Sequence, residues 1–206
     1  MDRVRLCVLV SGSGTILDAM VGAGLDVALV VADRSCRALG VAEASGVDAV
    51  LLDRLGYGGF SADFARDAYS TDLARLLGDY RIDLVAMAGF GTVLARPFHE
   101  AFAGRVLNTH PSLLPDFKGW HAVAAALAAG VEESGCTVHV ATESLDDGPI
   151  LAQRRVAVVP GDTELELHER IKSVERVLYP DVVARVMAAL AEGREPVTVA
   201  GALEGT

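Results

Sequence analysis

Short apolar runs alternate with helical patterns along this chain, and this alternation is the feature that most limits its fold. Residues 4–10 are an almost continuous apolar run, residues 27–32 and 84–88 are similar, and each is followed by a stretch with helical spacing. A strand without polar alternation is typical of a sheet that is covered on both faces. Strand–helix–strand repeats favour parallel pairing. The pattern therefore predicts an α/β fold: a doubly wound, mostly parallel, Rossmann-like sheet with helices on both faces.

The individual elements follow from the same reading. Strands are predicted at residues 4–10, 27–32, 49–52, 84–88, 105–109, 136–142 and 150–159, and helices at residues 15–21, 36–44, 61–80, 94–102 and 120–129. A last helix begins after Thr163, which has capping-box spacing to Glu166. Pro180 is expected to kink or end that helix, with a second helical stretch to residue 192. Residues 193–206 are expected to form a short strand or a flexible tail.

Length and composition narrow the class of protein. A chain of 206 residues is expected to form one domain, residues 1–206, and no apolar run approaches the roughly 20 residues that a membrane-spanning helix needs. The start of the chain lacks a signal-peptide pattern, so a cytoplasmic protein is expected. Cys7, Cys36 and Cys136 are too few and too scattered to predict a disulfide framework or a zinc site; buried thiols are expected instead.

The charge balance argues against nucleic acid as a main partner. The formal net charge is −10, and the 18 Lys and Arg residues form no dense run. Binding to a phosphate backbone requires clustered cations. A small anionic ligand is compatible with the composition, because a pocket can be locally positive on an acidic surface. A small-molecule partner is therefore favoured.

The segment Leu-Asn-Thr-His-Pro-Ser-Leu-Leu-Pro, residues 107–115, contains the first candidate site. Alternation along an extended strand points Asn108 and His110 to the same side. An amide donor beside an imidazole suits a reaction in which negative charge builds on a carbonyl oxygen. The same residues also fit a polar strand end closed by a proline turn, and the segment alone does not decide between the two interpretations.

The second candidate is the loop Ser-Gly-Ser-Gly-Thr, residues 11–15, between the first strand and its helix. Its glycines allow a tight turn that aims free amides at an anion, and the helix dipole adds attraction. A dinucleotide site is an alternative, because Asp33 stands where a ribose-binding acid would follow the second strand. However, Leu17 occupies the place of the third glycine of that fingerprint. A phosphate cradle is favoured over a nicotinamide site; a tight turn without a ligand remains a third interpretation.

The third candidate is the acidic loop Leu-Asp-Asp-Gly-Pro-Ile, residues 145–150. Two adjacent carboxylates before Gly-Pro commonly mark a solvated turn. Here the loop follows a predicted strand that carries His139. An acid placed near His110 would favour the charged imidazole and orient it.

In this order and spacing, the three segments resemble the folate-dependent formyltransferases. The resemblance extends from about Arg5 to Arg185 and includes residues 88–90 and 175–180. The short chain and the phosphate-type first loop are closest to the members that act in purine synthesis. The resemblance implies transfer of the formyl group of 10-formyltetrahydrofolate to the primary amine of 5-phosphoribosylglycinamide, with folate as co-substrate and no required metal.

The resemblance also implies catalytic roles. Asn108 would donate its amide to the oxyanion, and protonated His110 would stabilise the charge and pass a proton to the departing folate nitrogen. Asp146 matches the family's acidic residue and would hold His110 charged. Asp147 stands where relatives more often carry a small residue, so either carboxylate could face His110. His139 matches a family histidine near the site, and it fits a structural residue equally well.

For the phosphorylated amine, the resemblance implies contacts from the first loop and helix and from the last helix. The implied residues are Gly14, Thr15, Ile16, Leu17, Asp18, Lys172 and Glu175. Relatives often have Asn at the Ile16 position, so backbone amides would carry more of the binding here, and Lys172 could add charge. Glu175 matches the acid that receives the substrate amine; an ordinary surface Glu is the other interpretation.

For the folate, the resemblance implies a segment after the fourth strand and one arginine. The implied residues are Arg66, Gly91, Thr92, Val93, Leu94 and Asn108. Relatives often have Met-Arg at the positions of Gly91-Thr92. In this chain, backbone groups are therefore expected to form the hydrogen bonds to the edge of the pteridine ring. Arg66 is also compatible with an ordinary surface position.

Two other functional classes stay open from the sequence. One is a formyltransferase for another amine, such as an amino sugar or an amino acid side chain; tRNA-acting relatives usually carry a further C-terminal domain. The other is a dinucleotide-binding oxidoreductase or sensor that uses the first loop and Asp33, and it leaves Asn108, His110 and Asp146 without a role. The oligomeric state is expected to be a monomer or a homodimer.

Overall fold

The computed structural model describes residues 3–199. Within this range lie seven strands, β1 (Leu6–Val10), β2 (Val27–Ala32), β3 (Ala49–Leu51), β4 (Leu84–Ala88), β5 (Val106–His110), β6 (Glu133–Val140) and β7 (Ile150–Ala157). The α-helices of the same range are α1 (Thr15–Gly22), α2 (Arg37–Ala44), α3 (Arg66–Asp79), α4 (Arg96–Ala101), α5 (Ala122–Ala129) and α6 (Glu164–Ala191). Two short 3-10 helices, Arg54–Tyr57 and Pro196–Val199, were not predicted.

The strands form one sheet in the order β3-β2-β1-β4-β5-β6-β7. β1 pairs in parallel with both β2 and β4, and β2 pairs in parallel with β3, whereas β6 and β7 are antiparallel. Every residue of β1 is buried, as its unbroken apolar sequence predicts for a strand covered on both faces. The predicted α/β fold with a mostly parallel sheet is confirmed.

The chain divides into two compact units, Met1–Leu107 and Asn108–Thr206. The first unit contains the parallel strands β1 to β4, and the second contains the antiparallel pair β6 and β7 together with α5 and α6. The single domain expected from chain length stays a prediction.

The first unit has a point where the order of strands reverses. The chain goes from β1 to β2 on one side, and later returns to place β4 on the other side of β1. The segments after β1, β2 and β4 meet there: the Gly91 amide donates to Ser11 Oγ at 2.6 Å, and the Thr92 hydroxyl donates to Asp33 Oδ2 at 2.7 Å. Open α/β sheets bind ligands at such a reversal, beyond the carboxyl ends of the strands.

Helix α6 begins as predicted, and it ends next to residue 192, the expected limit of the helical stretch. The Thr163 hydroxyl accepts a hydrogen bond from the Glu166 amide, and the Glu166 carboxylate accepts from the Thr163 amide, which completes the capping box. Of the two expectations for Pro180, a kink or an end, the end is wrong, because α6 continues through Pro180 to Ala191 as one 28-residue helix. Proline removes one backbone hydrogen bond. Burial of apolar residues on both sides of it, including Leu178 and Val182, offsets that loss.

Several other boundaries differ from the prediction. Strand β6 spans Glu133–Val140 rather than residues 136–142, and the ends of β7, α4 and α5 differ by one or two residues. The helix expected from residue 61 begins at Arg66, because residues 58–65 form turns in which Gly58 has a φ of 97° and the Ser61 hydroxyl donates to the Gly58 carbonyl. In the expected C-terminal strand or tail, residues 196–199 form a 3-10 helix, and residues 200–206 lie outside the described range.

Two of the three cysteines are buried. Cys7 and Cys136 are fully buried free thiols, and Cys36 is half-buried. Burial raises the pKa of Cys7 and raises that of Cys136 to about 12. Both thiols are therefore protonated and unreactive at neutral pH. No helix of residues 3–199 is both long and apolar enough to cross a membrane.

Candidate active site

Strand β5 ends in three polar residues whose side chains alternate. Asn108 Nδ2 lies 3.3 Å from His139 Nε2, and His110 Nδ1 lies 3.3 Å from Asp146 Oδ2. Thr109, between them, donates its hydroxyl to Glu175 Oε1 at 2.8 Å instead. The predicted convergence of Asn108 and His110 has this physical basis, since both reach one histidine–carboxylate cluster and alternation along the strand sends Thr109 elsewhere.

Both nitrogens of His110 face hydrogen-bond acceptors. Nδ1 faces Asp146, and Nε2 lies 2.8 Å from the Phe117 carbonyl oxygen. His110 is 5% exposed, so water cannot easily substitute for either partner. A neutral imidazole donates from only one nitrogen, whereas an imidazolium donates from both. The arrangement therefore fits a positively charged His110.

Asp146, rather than Asp147, is the carboxylate at His110. Asp146 is buried at a φ of 51°, a left-handed conformation that Asp tolerates better than most residues. Its Oδ2 accepts from the Gly119 amide at 2.9 Å, and its Oδ1 lies 3.6 Å from His139 Nε2. Asp147 is exposed and pairs with Lys118. The two adjacent carboxylates thus have different surroundings, and only Asp146 can orient the imidazole.

Asp146 is held in its charged form. Burial by itself raises the pKa of this carboxyl, but contact with His139, the hydrogen bond from Gly119 and the nearby His110 lower the pKa further than burial raises it. The pKa of Asp146 is therefore below its ordinary value. A buried carboxylate that is ionised at neutral pH stabilises positive charge on the imidazole beside it.

His139 orients the amide of Asn108. Its Nδ1 lies 3.1 Å from the Val140 carbonyl oxygen, and its Nε2 lies 3.3 Å from Asn108 Nδ2 and 3.6 Å from Asp146 Oδ1. The ring is 1% exposed, so these contacts hold it in place. His139 therefore connects the Asn108 amide to the buried carboxylate, as a positioning residue would.

Gly148 allows the acidic loop to approach β6 closely. A Cβ at this position would lie 1.8 Å from the Val140 carbonyl oxygen, far inside van der Waals contact. The loop is also held by a hydrogen bond from the Val140 amide to the Pro149 carbonyl at 2.9 Å. The absence of a side chain at Gly148 therefore helps to place Asp146 beneath His110.

We expect Gly148→Ala to displace this loop. Relieving the clash should cost about 1–3 kcal/mol of unfolding free energy and lower kcat about tenfold as Asp146 moves from His110. Thermal denaturation and steady-state kinetics measure the two effects. Gly40→Ala is the control, since a Cβ there meets nothing within 4 Å in a helix. A Gly148→Ala protein as stable and as active as that control would contradict the role of this glycine.

The proline turn after His110 is attached to the antiparallel strands by Thr137 and Gln153. The Thr137 hydroxyl donates to the Ser112 carbonyl at 2.7 Å and accepts from the Leu114 amide at 3.0 Å. Gln153 Nε2 donates to the Leu114 carbonyl at 2.8 Å. Sequence reasoning missed these residues, because neither stands in a motif. They hold the end of β5, and therefore His110, against the sheet of the second unit.

The first loop has the backbone form of an anion cradle. Gly14 has a φ of 77°, and a Cβ there would lie 2.8 Å from Ala38 Cα, so only glycine fits. The amides at the start of α1 have no side-chain cap. Ile16 and Leu17 are buried and Asp18 is exposed, so any ligand contact from the first two would come from the backbone.

Arg37 is a cation near this loop that sequence reasoning missed. It is the first residue of α2, and its Nη1 donates to the Ser13 carbonyl at 3.3 Å. The sequence had offered Lys172 as the compensating charge. Lys172 forms an ion pair with Glu169 at 2.9 Å within α6. A guanidinium beside the loop is the stronger candidate for an anion partner.

Asp33 does not present a free carboxylate. It is fully buried, accepts two hydrogen bonds from Arg34 at 2.8 and 2.9 Å, and accepts a third from Thr92. Burial raises its pKa, yet the hydrogen bonds from Arg34, Thr92 and Ser11 lower it overall. A carboxylate occupied in this way cannot bind a ribose. Asp33 therefore does not serve as the ribose-binding acid that a dinucleotide site requires.

Gly91 and Thr92, which replace the Met-Arg pair of many relatives, both lie against arginine side chains. A Cβ at Gly91 would lie 2.8 Å from Arg34 Nη2, the end of a flexible side chain, so a larger residue here would require this guanidinium to shift. Thr92 is buried, and its hydroxyl also accepts from Arg54 Nη1 at 3.0 Å. The Gly91 amide is occupied by Ser11. Of the expected folate segment, Leu94 is buried and Val93 is partly exposed.

Two other expected site residues, Arg66 and Glu175, differ in exposure and in hydrogen bonding. Arg66 is the first residue of α3 and is exposed; within residues 3–199 its side chain makes no hydrogen bond or ion pair. Glu175 is partly buried and bonded to Thr109. Desolvation raises its pKa, and the Thr109 hydrogen bond offsets only part of this. Glu175 is therefore not an ordinary surface residue, though the contact it makes is to Thr109.

The described part of the chain holds no group of three or more His, Cys, Asp or Glu side chains that could bind a metal ion.

Comparison with known families agrees with the motifs. A family model described as formyl transferase matches residues 4–183. Phosphoribosylglycinamide formyltransferase of Mycobacterium tuberculosis (strain ATCC 25618 / H37Rv) is 44% identical over 203 residues, which cover 96% of this chain and 88% of the relative. The protein of the same name from Escherichia coli (strain K12) is 35% identical over 191 residues, covering 88% and 86%.

Solved structures give the same result for the fold. Glycinamide ribonucleotide transformylase 1 from Symbiobacterium toebii superposes with a TM-score of 0.79 at 40% identity, over 87% of this chain and 85% of that one. Phosphoribosylglycinamide formyltransferase from Brucella melitensis superposes with a TM-score of 0.81 at 34% identity, over 91% and 97%. The similarity therefore includes nearly the whole chain rather than one motif.

Proposed function

Because this chain belongs to the formyl transferase family, we propose that it transfers the formyl group of 10-formyltetrahydrofolate to the primary amine of 5-phosphoribosylglycinamide in purine biosynthesis. The observation that carries the chemistry is the cluster in which one buried carboxylate, Asp146, faces both His110 and His139 while His139 also contacts the amide of Asn108. Such a cluster offers a neutral donor and a positive donor side by side.

Asn108 and His110 would act on the formyl group. The folate supplies an electrophilic carbonyl carbon, and attack by an amine places negative charge on its oxygen. The free N–H of Asn108 and the charged ring of His110 would both stabilise that oxygen. Asp146 keeps His110 charged, because its own pKa is lowered in this setting.

His110 must exchange a hydrogen bond to do so. Its Nε2 is bonded to the Phe117 carbonyl, while Nδ1 is kept by Asp146. Substrate binding would replace Phe117 at Nε2, and the proton there would then pass to the departing folate nitrogen. The proton that the attacking amine loses on forming the amide would return His110 to its charged form, so no proton is gained or lost overall. Nδ1 remains with Asp146 throughout, so the ring keeps its orientation as it donates.

The phosphate of the amine substrate would bind at the first loop. The backbone amides of Thr15, Ile16 and Leu17 follow the left-handed Gly14 at the positive end of α1. Arg37 would add a formal charge, which compensates for the lack of a polar side chain at Ile16. Asp18, Lys172 and Glu175 remain further candidates for the ribose and amine.

We expect Arg37→Ala to raise KM for the phosphorylated amine about tenfold, since it removes a charge-assisted hydrogen bond. KM for the formyl folate and kcat should stay within about twofold of the original enzyme. Initial-rate kinetics with each substrate varied in turn measures both. The control is Arg75→Ala, an exposed arginine of the same unit that pairs with Asp72 and Asp79. Equal KM values for the amine in the two variants would remove Arg37 from the site.

The folate would lie along Gly91, Thr92, Val93 and Leu94, with Arg66 as a further contact and Asn108 at its formyl end. Since the Gly91 amide and the Thr92 side chain are already bonded, the remaining backbone groups and Val93 would carry these contacts. The proposed partners are these two small molecules, the proposed compartment is the cytoplasm, and the proposed assembly is a monomer or a homodimer.

The direct test is turnover. Tetrahydrofolate should be released when the protein is incubated with 10-formyltetrahydrofolate and 5-phosphoribosylglycinamide. Turnover with an amino sugar or amino acid amine, but not with this amine, would assign the protein to another acceptor. Release with neither class of amine would overturn the proposal.

A further inference from the structure

Glu175 is an acid at a core position of α6. By helical spacing it shares one face of the helix with four buried apolar residues, Leu167, Ile171, Leu178 and Val182. Glu175 itself is half-buried, whereas the charged residues of a helix normally lie on the opposite side, which faces solvent. A carboxylate in such a position loses hydration, so an apolar residue of similar size would stabilise the fold better.

A neutral hydroxyl, rather than a cation, holds this acid in place. Within residues 3–199, the Glu175 carboxylate forms no ion pair, and its only hydrogen bond comes from the Thr109 hydroxyl to Oε1 at 2.8 Å. Lys172, one turn earlier on the helix, pairs with Glu169 instead. Arg176 is the other cation nearby, and it affects Glu175 only as a charge at a distance. The direction of the carboxylate therefore depends on Thr109.

The surroundings of Glu175 make its carboxyl hard to ionise. On the side of the sheet, the thiol of Cys136 is close enough for the Glu175 charge to raise the pKa of the thiol, and Arg154 stands opposite Cys136 on β7. Helix α5, which also packs against α6, carries no ionisable side chain. Desolvation raises the pKa of Glu175, and the Thr109 hydrogen bond and the two cations of its own helix offset only part of this. Among the groups that favour the charged form, the Thr109 hydroxyl has the largest effect.

Thr109 holds Glu175 from the strand that carries the proposed catalytic pair. It lies between Asn108 and His110 on β5, and its side chain leaves the opposite face of the strand. A β-branched side chain has restricted freedom at χ1, so the direction of its hydroxyl is fixed. Within the described part of the chain, Glu175 Oε2 has no hydrogen-bond partner, yet it is not sealed from solvent. One oxygen of the carboxylate is thus held, and the other is able to accept from a ligand.

We propose that Thr109 is a positioning residue for the amine substrate: its hydroxyl holds Oε1 of Glu175, so that Oε2 accepts a hydrogen bond from the attacking amine. The proposal rests on the proposed function, and Thr109 itself would touch neither substrate. The two faces of the strand suit the reaction. Donors to a carbonyl oxygen lie near the carbonyl plane, whereas a nucleophile approaches the carbon from above that plane. Asn108 and His110 would serve the oxygen, and Glu175 would serve the amine.

Thr109→Val removes the hydroxyl and keeps the shape of the side chain. KM for 5-phosphoribosylglycinamide should rise about fivefold, while KM for 10-formyltetrahydrofolate stays within about twofold, because only the amine contact depends on Glu175. Thr109→Ser keeps a hydroxyl, so its KM for the amine should stay within about twofold of that of the unmodified protein. Thr71→Val is the control, since this exposed threonine of α3 loses only an intrahelical bond to the Asp67 carbonyl. The melting temperature of each variant is measured alongside.

A double-substitution cycle separates positioning from structural support of the strand. If Thr109 acts through Glu175, adding Thr109→Val to Glu175→Ala should change KM for the amine by less than about twofold. If Thr109 only supports the strand, the losses of the two single variants should multiply in the double variant. Multiplied losses would overturn the proposal.

The pKa of Glu175, followed by carbon NMR of its carboxyl group without substrates, gives a measurement that needs no turnover. A hydrogen bond from Thr109 stabilises the charged form, so Thr109→Val should raise this pKa and Thr109→Ser should leave it nearly unchanged. In the Thr109→Val enzyme, the acid limb of kcat/KM for the amine should move to higher pH by the same amount, because only ionised Glu175 accepts from the amine.

The outcomes distinguish this proposal from the proposed function. An unchanged pKa of Glu175, or an unchanged KM for the amine, in a Thr109→Val enzyme that still transfers formyl groups would overturn the role of Thr109 and leave formyl transfer intact. A raised pKa in Thr109→Val, together with no transfer to this amine by the unmodified protein, would overturn the proposed function and with it the role of Glu175 toward the amine.

Discussion

Replacing His110 with alanine should lower kcat by about 10²–10⁴-fold, the range that a positioned general acid contributes. The substitution removes the proton donor for the departing nitrogen, and it also removes the charge beside the developing oxyanion. It leaves Asp146 buried with His139 and the Gly119 amide as its remaining contacts. KM for both substrates should change less than kcat, because the lost interactions strengthen only as charge develops.

The loss must be separated from a loss of structure. His168→Ala is the matched control, since this histidine lies on α6 of the same unit and has no contact with the cluster. Both variants should unfold cooperatively, with the His110 variant somewhat less stable because a buried carboxylate loses a partner. A folded His110→Ala enzyme that keeps more than a tenth of the original kcat would refute the role assigned to His110.

The fold was predictable where the signal is local. The apolar run of β4 and the capping box of α6 depend on neighbouring residues, and both were placed correctly. The failures came where distant packing decides. Pro180 signals a break, yet the helix continues because apolar residues are buried on both sides of it. Helix α3 begins at Arg66 rather than at Ser61, because the residues before Arg66 form turns that include Gly58 and Gly59, both with positive φ.

In the candidate site, too, the features set by neighbouring residues were predictable and those set by distant contacts were not. The shared direction of Asn108 and His110 follows from strand alternation, which a sequence reveals. The partner of Asn108 is His139, 31 positions away, and no local pattern connects them. The choice between Asp146 and Asp147 required the loop geometry that Gly148 allows.

The surroundings of the expected folate segment illustrate why the rest was not predictable. Arg54 lies in a turn that the sequence assigned to no element, yet it is buried and donates hydrogen bonds to the Gly59 carbonyl and the Thr92 hydroxyl. No local pattern connects Arg54 with Thr92, 38 positions away. From the sequence, Gly91 and Thr92 in place of larger residues indicate fewer side-chain contacts to the folate. In the structure, Gly91 lies next to Arg34, and the Thr92 hydroxyl accepts a hydrogen bond from Arg54.

The two adjacent carboxylates should respond very differently to neutralisation. Asp146→Asn keeps the shape of the side chain but removes the charge that faces His110 and His139, so kcat should fall about 100-fold. The new amide would also place a donor opposite the Gly119 amide or the His110 N–H. Asp147→Asn is the matched control. It removes only an exposed pair with Lys118, and activity should stay within about twofold.

Stability should separate the two variants with a defined dependence on pH. The pKa of Asp146 is lower in the folded protein than in the unfolded chain, so its ionised form stabilises the fold above the unfolded value of about 3.9. That contribution is lost as pH falls through the lowered, folded pKa. The free energy of unfolding of Asp146→Asn, measured by urea denaturation, should therefore be below that of the original protein at pH 7. The gap should narrow below about pH 4. A gap that stays constant with pH, or one as large for Asp147→Asn, would show that the charge of Asp146 is not what holds His110 in place.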